Sequence, residues 1–253
     1  MLGVYFSGTG NTKYCVEKFL ENFEGSNTVS IEDSKVLDEI KNNSEIVFAY
    51  PIYFSNTPKI VSDFIVNNSE IFKNKNIFII ATMGLFSGDG TGCSARLFKK
   101  YGGNIIGGLH IIMPDNISDS KLLKKENEKN REIINRATKK IEKAAYSFKN
   151  GNTTREGLGL FSHILGLLGQ RLWFSNKTKN YTDAIKIDSS KCINCKKCIN
   201  ICPMKNLETE ANKVIAKSSC TMCYRCINIC PERAITLLGK EVIESYELSN
   251  YIK

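Results

Sequence analysis

Histidine and tryptophan are scarce in this 253-residue chain, which has two of the first (His110, His163) and one of the second (Trp173). Neither histidine stands in a recognisable zinc or triad constellation, so both read as structural, as do Cys15 and Cys93. Long apolar runs are missing too. None reaches the ~18 residues that a membrane-spanning helix needs, and no signal peptide precedes the apolar strand that starts at Leu2. The expected compartment is the reducing cytoplasm, where disulfides are rare and clustered cysteines point to metal or redox work.

The formal net charge of +9 invites a nucleic-acid or membrane-surface partner, but its distribution argues against both. Residues 1–119 are net −3, residues 120–150 +6, residues 151–180 +3 and residues 181–253 +3. That last segment also holds eight cysteines, whose thiolates would offset its +3 once they bind metal. The excess then lies in a helix face and a linker, and no nucleic-acid partner is expected.

Eight of the ten cysteines fall in two copies of one pattern. Cys192, Cys195, Cys198 and Cys202 precede Pro203; Cys220, Cys223, Cys226 and Cys230 follow 28 residues later and precede Pro231. The C-x2-C-x2-C-x3-C-P run is that of bacterial ferredoxins with two [4Fe–4S] clusters, where the fourth cysteine of each run ligates the other cluster. The expected sets are therefore Cys192, Cys195, Cys198 with Cys230, and Cys220, Cys223, Cys226 with Cys202. Structural zinc is the rival, but it usually takes two widely separated C-x2-C pairs. A segment this short lacks a sizeable apolar core, and cluster ligation supplies folding free energy in its place.

Residues 1–150 alternate short apolar runs with helical stretches. Strands are expected at 2–6, 27–31, 45–50, 76–82 and 105–113, with helices at 11–23, 58–67, 91–101 and 120–148. That alternation predicts an α/β domain with a parallel sheet covered on both faces. Five strands with a phosphate-type loop after the first suggest a doubly wound sheet of order 2-1-3-4-5, with a ligand at the switch point. The first loop, Ser7 to Thr12, is not a Rossmann fingerprint, because Lys13 stands at the third glycine position, and it lacks the Gly-Lys-Ser/Thr of a Walker loop. It offers three hydroxyls, one amide, two glycines and a helix N-terminus, which suit a phosphate monoester; an ordinary capped helix start fits equally well.

Tyr5-Phe6-Ser7-Gly8-Thr9-Gly10-Asn11-Thr12 resembles the FMN-phosphate loop of flavodoxins. Tyr50 to Pro58 is similar to the flavin-stacking loop of flavodoxin-like quinone and FMN reductases. Thr82 to Gly90 matches the loop where such proteins meet the isoalloxazine edge. The resemblance, over residues 1 to about 148, implies that Ser7, Thr9, Gly10, Asn11 and Thr12 hold phosphate, and that Pro51, Tyr53, Phe54, Thr82, Met83 and Gly84 approach the ring. With the cysteine repeat included, the chain resembles flavodoxin–ferredoxin fusion proteins of strict anaerobes. Lys196 and Tyr224 stand where such ferredoxins often have glycine, and each must tolerate a strained backbone.

Three segments are thus expected: a flavodoxin-like domain (1–150), an apolar and basic linker (151–180) and a small α+β two-cluster ferredoxin domain (181–253). Residues 121–149 read as the last helix of the first domain, with Leu122 and Leu123 opening its apolar stripe. The strip from Leu158 to Phe174, which includes Leu167, Leu172 and Trp173, reads as packing that pins the two domains together. The expected function is electron transfer between two [4Fe–4S] clusters and FMN, with protein redox partners. The alternatives are a ferredoxin-fed flavin reductase acting on a small acceptor, with Tyr53 or His110 as proton donor, and a ferredoxin with a flavin-free docking domain.

Overall fold

A computed structural model of the chain describes residues 1–85, 88–123, 125–166, 168 and 184–252. Five apolar runs form one sheet: β1 (Leu2–Tyr5), β2 (Asn27–Ser30), β3 (Glu45–Pro51), β4 (Asn76–Met83) and β5 (Asn104–Ile112). All neighbours pair in parallel, in the order β2-β1-β3-β4-β5. This is the order expected from the sequence.

Helices α1 (Asn11–Leu20), α2 (Val36–Asn42), α3 (Lys59–Asn67), α4 (Gly90–Lys100) and α5 (Asn127–Lys149) cover the sheet. One core layer gathers Phe6, Phe48, Phe72 and Phe98. The other gathers Phe19, Phe78, Leu109 and Ile141. Burial on both faces explains why β3 and β4 read as unbroken apolar runs and not as alternating ones. Phe98 meets Phe72 and Phe48 edge-on, with ring centroids 4.9 and 5.0 Å apart, and each such pair adds about 1 kcal/mol beyond simple burial.

Two elements depart from expectation. α2 buries Val36 and Ile40 and packs Leu37 partly against the same core, within a helix of seven residues that is too short to register as a period. α5 starts at Asn127 and not near 120, because the chain leaving β5 first crosses to the second domain. There Ile117 packs against that domain's core and Asp119 is buried, so the helix begins only after the chain has returned. Leu122, assigned above to the apolar stripe, is instead 91% exposed on this crossing.

The second domain is α+β, as expected. β6 (Lys186–Ile187) pairs with β9 (Ile235–Thr236), and β7 (Leu207–Glu210) with β8 (Lys213–Ala216), both antiparallel. Between them lie the short helices α7 (Lys197–Ile201) and α8 (Arg225–Ile229). Its apolar core is small: Leu207, Val214, Ile227, Ile235 and Leu237 pack around Cys198 and Cys226. The repeat is visible in the backbone. Asn194 and Met222 (φ 53° and 59°), Lys196 and Tyr224 (59° and 61°), and Lys205 and Arg233 (48° and 48°) are left-handed in matched pairs. Lys196 and Tyr224 are the two positions where strain is expected from the sequence.

The linker behaves differently from expectation. Thr154 and Glu156 run along β5, the Gly108 N–H donating to Thr154 O at 2.8 Å and the Glu156 N–H to Gly108 O at 2.9 Å. In α6 (Leu160–Gly166) and just beyond it, Leu160, Phe161 and Leu168 are 77, 73 and 66% exposed. The described part of the apolar strip therefore does not pin the domains together; Leu167, Leu172, Trp173 and Phe174 lie outside the described residues. Among the described residues, no helix is long and apolar enough to cross a membrane.

Candidate cofactor sites

The cysteine runs build two separate cavities, each from both copies of the repeat. One is lined by Cys192, Cys195, Cys198 and, from the second run, Cys230. The other is lined by Cys220, Cys223, Cys226 and, from the first run, Cys202. Among the described residues, no three His, Cys, Asp or Glu side chains converge closely enough to hold a single metal ion. The sulfurs ring a space instead of meeting at a point. Backbone N–H groups point at sulfur from Asn206 to Cys202 (3.3 Å), Met222 to Cys220 (3.2 Å) and Ala234 to Cys230 (3.4 Å). Burial pushes the Cys220 thiol up to about 11 and Cys223 up to about 12. It raises Cys226 and Cys198 as well. Such thiols give up their protons only to a metal that replaces them.

A cavity of about 450 Å³ opens at the C-terminal ends of β1, β3 and β4, where parallel sheets of this order place their ligands. Ser7, Thr9, Asn11, Thr12, Pro51, Tyr53, Phe54, Thr82, Met83 and Gly84 all line it. Gly10 sits behind that wall as the left-handed N-cap of α1, with φ 97°. The Ser7 hydroxyl is buried with no hydrogen-bond partner among the described residues, and so is that of Tyr53; both are costs that a polar ligand would relieve. Burial raises the Tyr53 hydroxyl well above its ordinary value. Phe54 and Ser55 are consecutive left-handed residues (φ 48° and 61°) that turn this loop into the cavity mouth.

Some of these side chains are engaged elsewhere. Asn11 Nδ2 donates to Pro114 O at 2.8 Å, and its Oδ1 accepts from the Tyr246 hydroxyl at 2.7 Å, so its amide braces the loop and does not point at a phosphate. Thr12 Oγ1 and Thr82 Oγ1 bond each other at 2.7 Å, tying the first loop to the fourth strand. His110 lies away from the cavity. Its Nε2 accepts the Thr91 N–H at 3.2 Å, and burial lowers its pKa. Of the two proton-donor candidates, only Tyr53 is at this site.

The second domain forms part of the wall. Met222 and Tyr224 line the cavity, and Cys223 packs into the aromatic core of the first domain. A Cβ on Gly8 would lie 2.6 Å from Cys223 O, so only glycine allows the loop and the cysteine backbone to approach this closely. Arg225 clamps the same loop, Nη2 donating to Ser7 O at 2.6 Å and Nε to Gly8 O at 3.2 Å. It also pairs with Glu32 through Nη1 at 2.8 Å and lies 5.2 Å from the Phe6 ring centroid. Asp119 latches the crossing segment to the second domain. Its Oδ1 accepts from the Tyr224 hydroxyl at 2.9 Å, and its Oδ2 from the N–H groups of Leu237, Leu238 and Gly239 at 2.7, 2.9 and 3.1 Å. At the C-terminus, Leu248 enters the core beside α1, its N–H donating to Thr9 O at 3.1 Å.

A family model for flavodoxin domains matches residues 2–101, and one for 4Fe-4S dicluster domains matches residues 184–231. The chain carries a flavodoxin domain followed by a 4Fe-4S dicluster domain. Among solved structures, it is similar to two-electron reduced Megasphaera elsdenii flavodoxin, with 22% identity and a TM-score of 0.40 over 46% of this chain and 90% of that one. It is similar to Fusobacterium nucleatum flavodoxin bound to flavin mononucleotide, with 16% identity and a TM-score of 0.43 over 60% of this chain and 98% of that one. For oxidised flavodoxin 2 from Bacillus cereus the figures are 14% and 0.44, over 59% and 97%. No curated protein matches.

The cofactors that go with these two domains are FMN and two [4Fe–4S] clusters, and the work that goes with them is electron transfer. The sites built here fit both groups: two four-sulfur cavities in the dicluster domain, and in the flavodoxin domain a cavity with an orphaned hydroxyl and a glycine-lined helix start. Four residues at or near the cavity escaped the sequence reading: Asp115, Asn116, Asp119 and Arg225. Asp115 lines the cavity opposite Gly84, where an added Cβ would lie 2.5 Å from its Oδ2, and burial raises its carboxyl above the ordinary range. Asn116 Nδ2 donates to Cys223 O at 3.1 Å. Asn116, Asp119 and Arg225 are lone polar residues whose partners lie a hundred or more positions away, and no local pattern marks such a residue.

Proposed function

We propose that the chain is a one-chain electron relay that joins a flavin to two iron–sulfur clusters at a fixed separation. Bound, the clusters supply single-electron capacity and FMN can hold one electron or two. Ser7, Thr9, Thr12 and the backbone from Gly8 to Asn11 are the groups that would hold the phosphate. Pro51, Tyr53, Phe54, Met83 and Gly84 would flank the ring. Cys192, Cys195, Cys198 and Cys230 would hold one cluster, and Cys220, Cys223, Cys226 and Cys202 the other.

One observation carries this reading: the Cys223 backbone lies against Gly8 of the flavodoxin loop, and Cys223 itself packs into the flavodoxin core. The second sulfur set is therefore the inner one, sharing a wall with the flavin cavity through Met222 and Tyr224. Arg225 and Asp119 hold this arrangement. A diffusional encounter between two carriers is replaced by a fixed contact.

Anaerobic purification with iron, sulfide and flavin quantitation tests the cofactor set; the expected result is about eight irons and one FMN per chain. Zinc in place of iron and sulfide overturns the relay. Stopped-flow mixing of the reduced chain separates it from a flavin reductase. Exchange with protein carriers alone is expected, and rapid turnover of a quinone or nitro compound would assign the chain to the enzyme class.

A further inference from the structure

The two halves of the cysteine repeat face different surroundings, and the outer half presents a surface that the relay does not use internally. In the second run, Thr221 is 3%, Cys223 7% and Tyr224 3% exposed. The matching residues of the first run are open: Ile193 is 62% exposed, and Cys195, Lys196 and Lys197 are exposed as well. Lys191, Lys196 and Lys197 surround Ile193 along the chain. Lys213 joins them from the adjoining β7–β8 hairpin, whose Asn212 O accepts from Asn194 Nδ2 at 3.5 Å. Lys196, Lys197 and Lys213 have no ion-pair partner among the described residues. Three carboxylates are near, one of them Glu210, which stands opposite Lys213 in the β7–β8 register. Asp188 already accepts from Ser190 and lies 3.7 Å from Lys191 Nζ; Glu232 lines the outer cavity.

Resting on the relay reading, we infer that the exposed face Lys191–Lys197 with Lys213 is the docking surface for an acidic electron-carrier protein. A small apolar centre over the outer sulfur set, flanked by Lys196, Lys197 and Lys213 and by the Asp188-paired Lys191, suits a partner that carries carboxylates around its own redox centre. Opposite charges steer and orient such short-lived encounters. One electron passes per encounter, the carrier losing what the chain gains or the reverse, and no atom is transferred. The inner run has no such role, because its Lys197 counterpart, Arg225, is clamped to Glu32 and to the Ser7 and Gly8 carbonyls.

The test uses the full, cofactor-loaded chain with a small, strongly acidic bacterial ferredoxin as probe and basic cytochrome c as control. Affinity is read by calorimetry and exchange rate by stopped flow, both at rising ionic strength. Binding and rate with the acidic probe should fall with salt, and drop roughly ten-fold or more in Lys196→Gln/Lys197→Gln and further in Lys197→Glu/Lys213→Glu. Lys139→Glu/Lys143→Glu on α5 should leave both unchanged. Rates that ignore salt and both face variants overturn the proposal, as does an equal effect from the α5 variant or tighter binding of the face to anionic vesicles or DNA than to the probe. Dithionite titration of each variant keeps the two readings apart. If the clusters and flavin are all reduced while carrier exchange is unaffected by the face, the docking surface fails and the relay stands; if the flavin cannot be reduced in the wild-type chain, the relay itself fails.

Discussion

Lys197 and Arg225 occupy the same place in the two cysteine runs, each following a left-handed residue and opening a five-residue helix. Lys197 lies in solvent. Arg225 is half-buried against the flavodoxin domain, holding Glu32 and two loop carbonyls. Cluster spacing dictates the backbone in both halves, down to matched φ values at Asn194 and Met222. The residues between the cysteines are not so constrained. One half uses them to join two domains, and the other leaves them available to a partner. Duplication thus supplies two near-identical sites, and the side chains between the ligands decide which faces inward.

The comparison breaks most severely at the ligands. Cys223→Ala should cost about half the iron and also most of the flavin, since Cys223 packs in the flavodoxin core. Cys195→Ala should cost iron and leave the flavin in place, as quantitation of both cofactors will show. Equal flavin loss in both variants would mean that the halves are not functionally distinct.

Next comes the latch. Asp119→Ala strands four donors of a buried carboxylate. Urea unfolding should show a loss of about 3–5 kcal/mol, with the dicluster domain's transition separating from that of the flavodoxin domain.

The matched pair gives a sharper and smaller contrast. Arg225→Ala should destabilise by about 1.5–3 kcal/mol, the value of charge-assisted hydrogen bonds, and weaken FMN retention measured by fluorescence. Lys197→Ala should stay within about 0.5 kcal/mol of the parent.

The smallest effect is one of pH. Burial raises the Asp115 carboxyl above its ordinary value near 3.8. Between these values the folded chain keeps a proton that the unfolded chain has released, so stability falls as pH rises through the window, and the full penalty remains above it. Asp115→Asn removes that penalty. Its Tm should match the parent well below pH 3.8, exceed it by a margin that grows as pH rises above 3.8, and then hold that margin; a constant offset at every pH would show that ionisation of this carboxyl is not what costs stability.

The sequence made some of this architecture plain. Sheet order followed from five apolar runs and a loop after the first, because parallel strands with covered faces leave few other arrangements. Ligand spacing pointed to the same cysteines that line each of the two cavities, and missing glycines to the strained Lys196 and Tyr224. Leu122 and Leu123 misled, because apolar residues near a helix start look alike whether they face a core or a cavity mouth. Leu160, Phe161 and Leu168, all exposed, misled in the same way. The true joint rests on Asp119, Arg225 and Asn116, whose partners lie far off in the chain, and single polar residues carry no period.

Leu248 donates its N–H to Thr9, and its side chain lies against Gly10, so a segment beyond the dicluster domain completes the first cofactor loop. The nucleotide cradle can therefore close only after the dicluster domain has been made and has brought Leu248 home. A chain cut just before Leu248 should emerge folded in its sheet but poor at retaining its yellow cofactor.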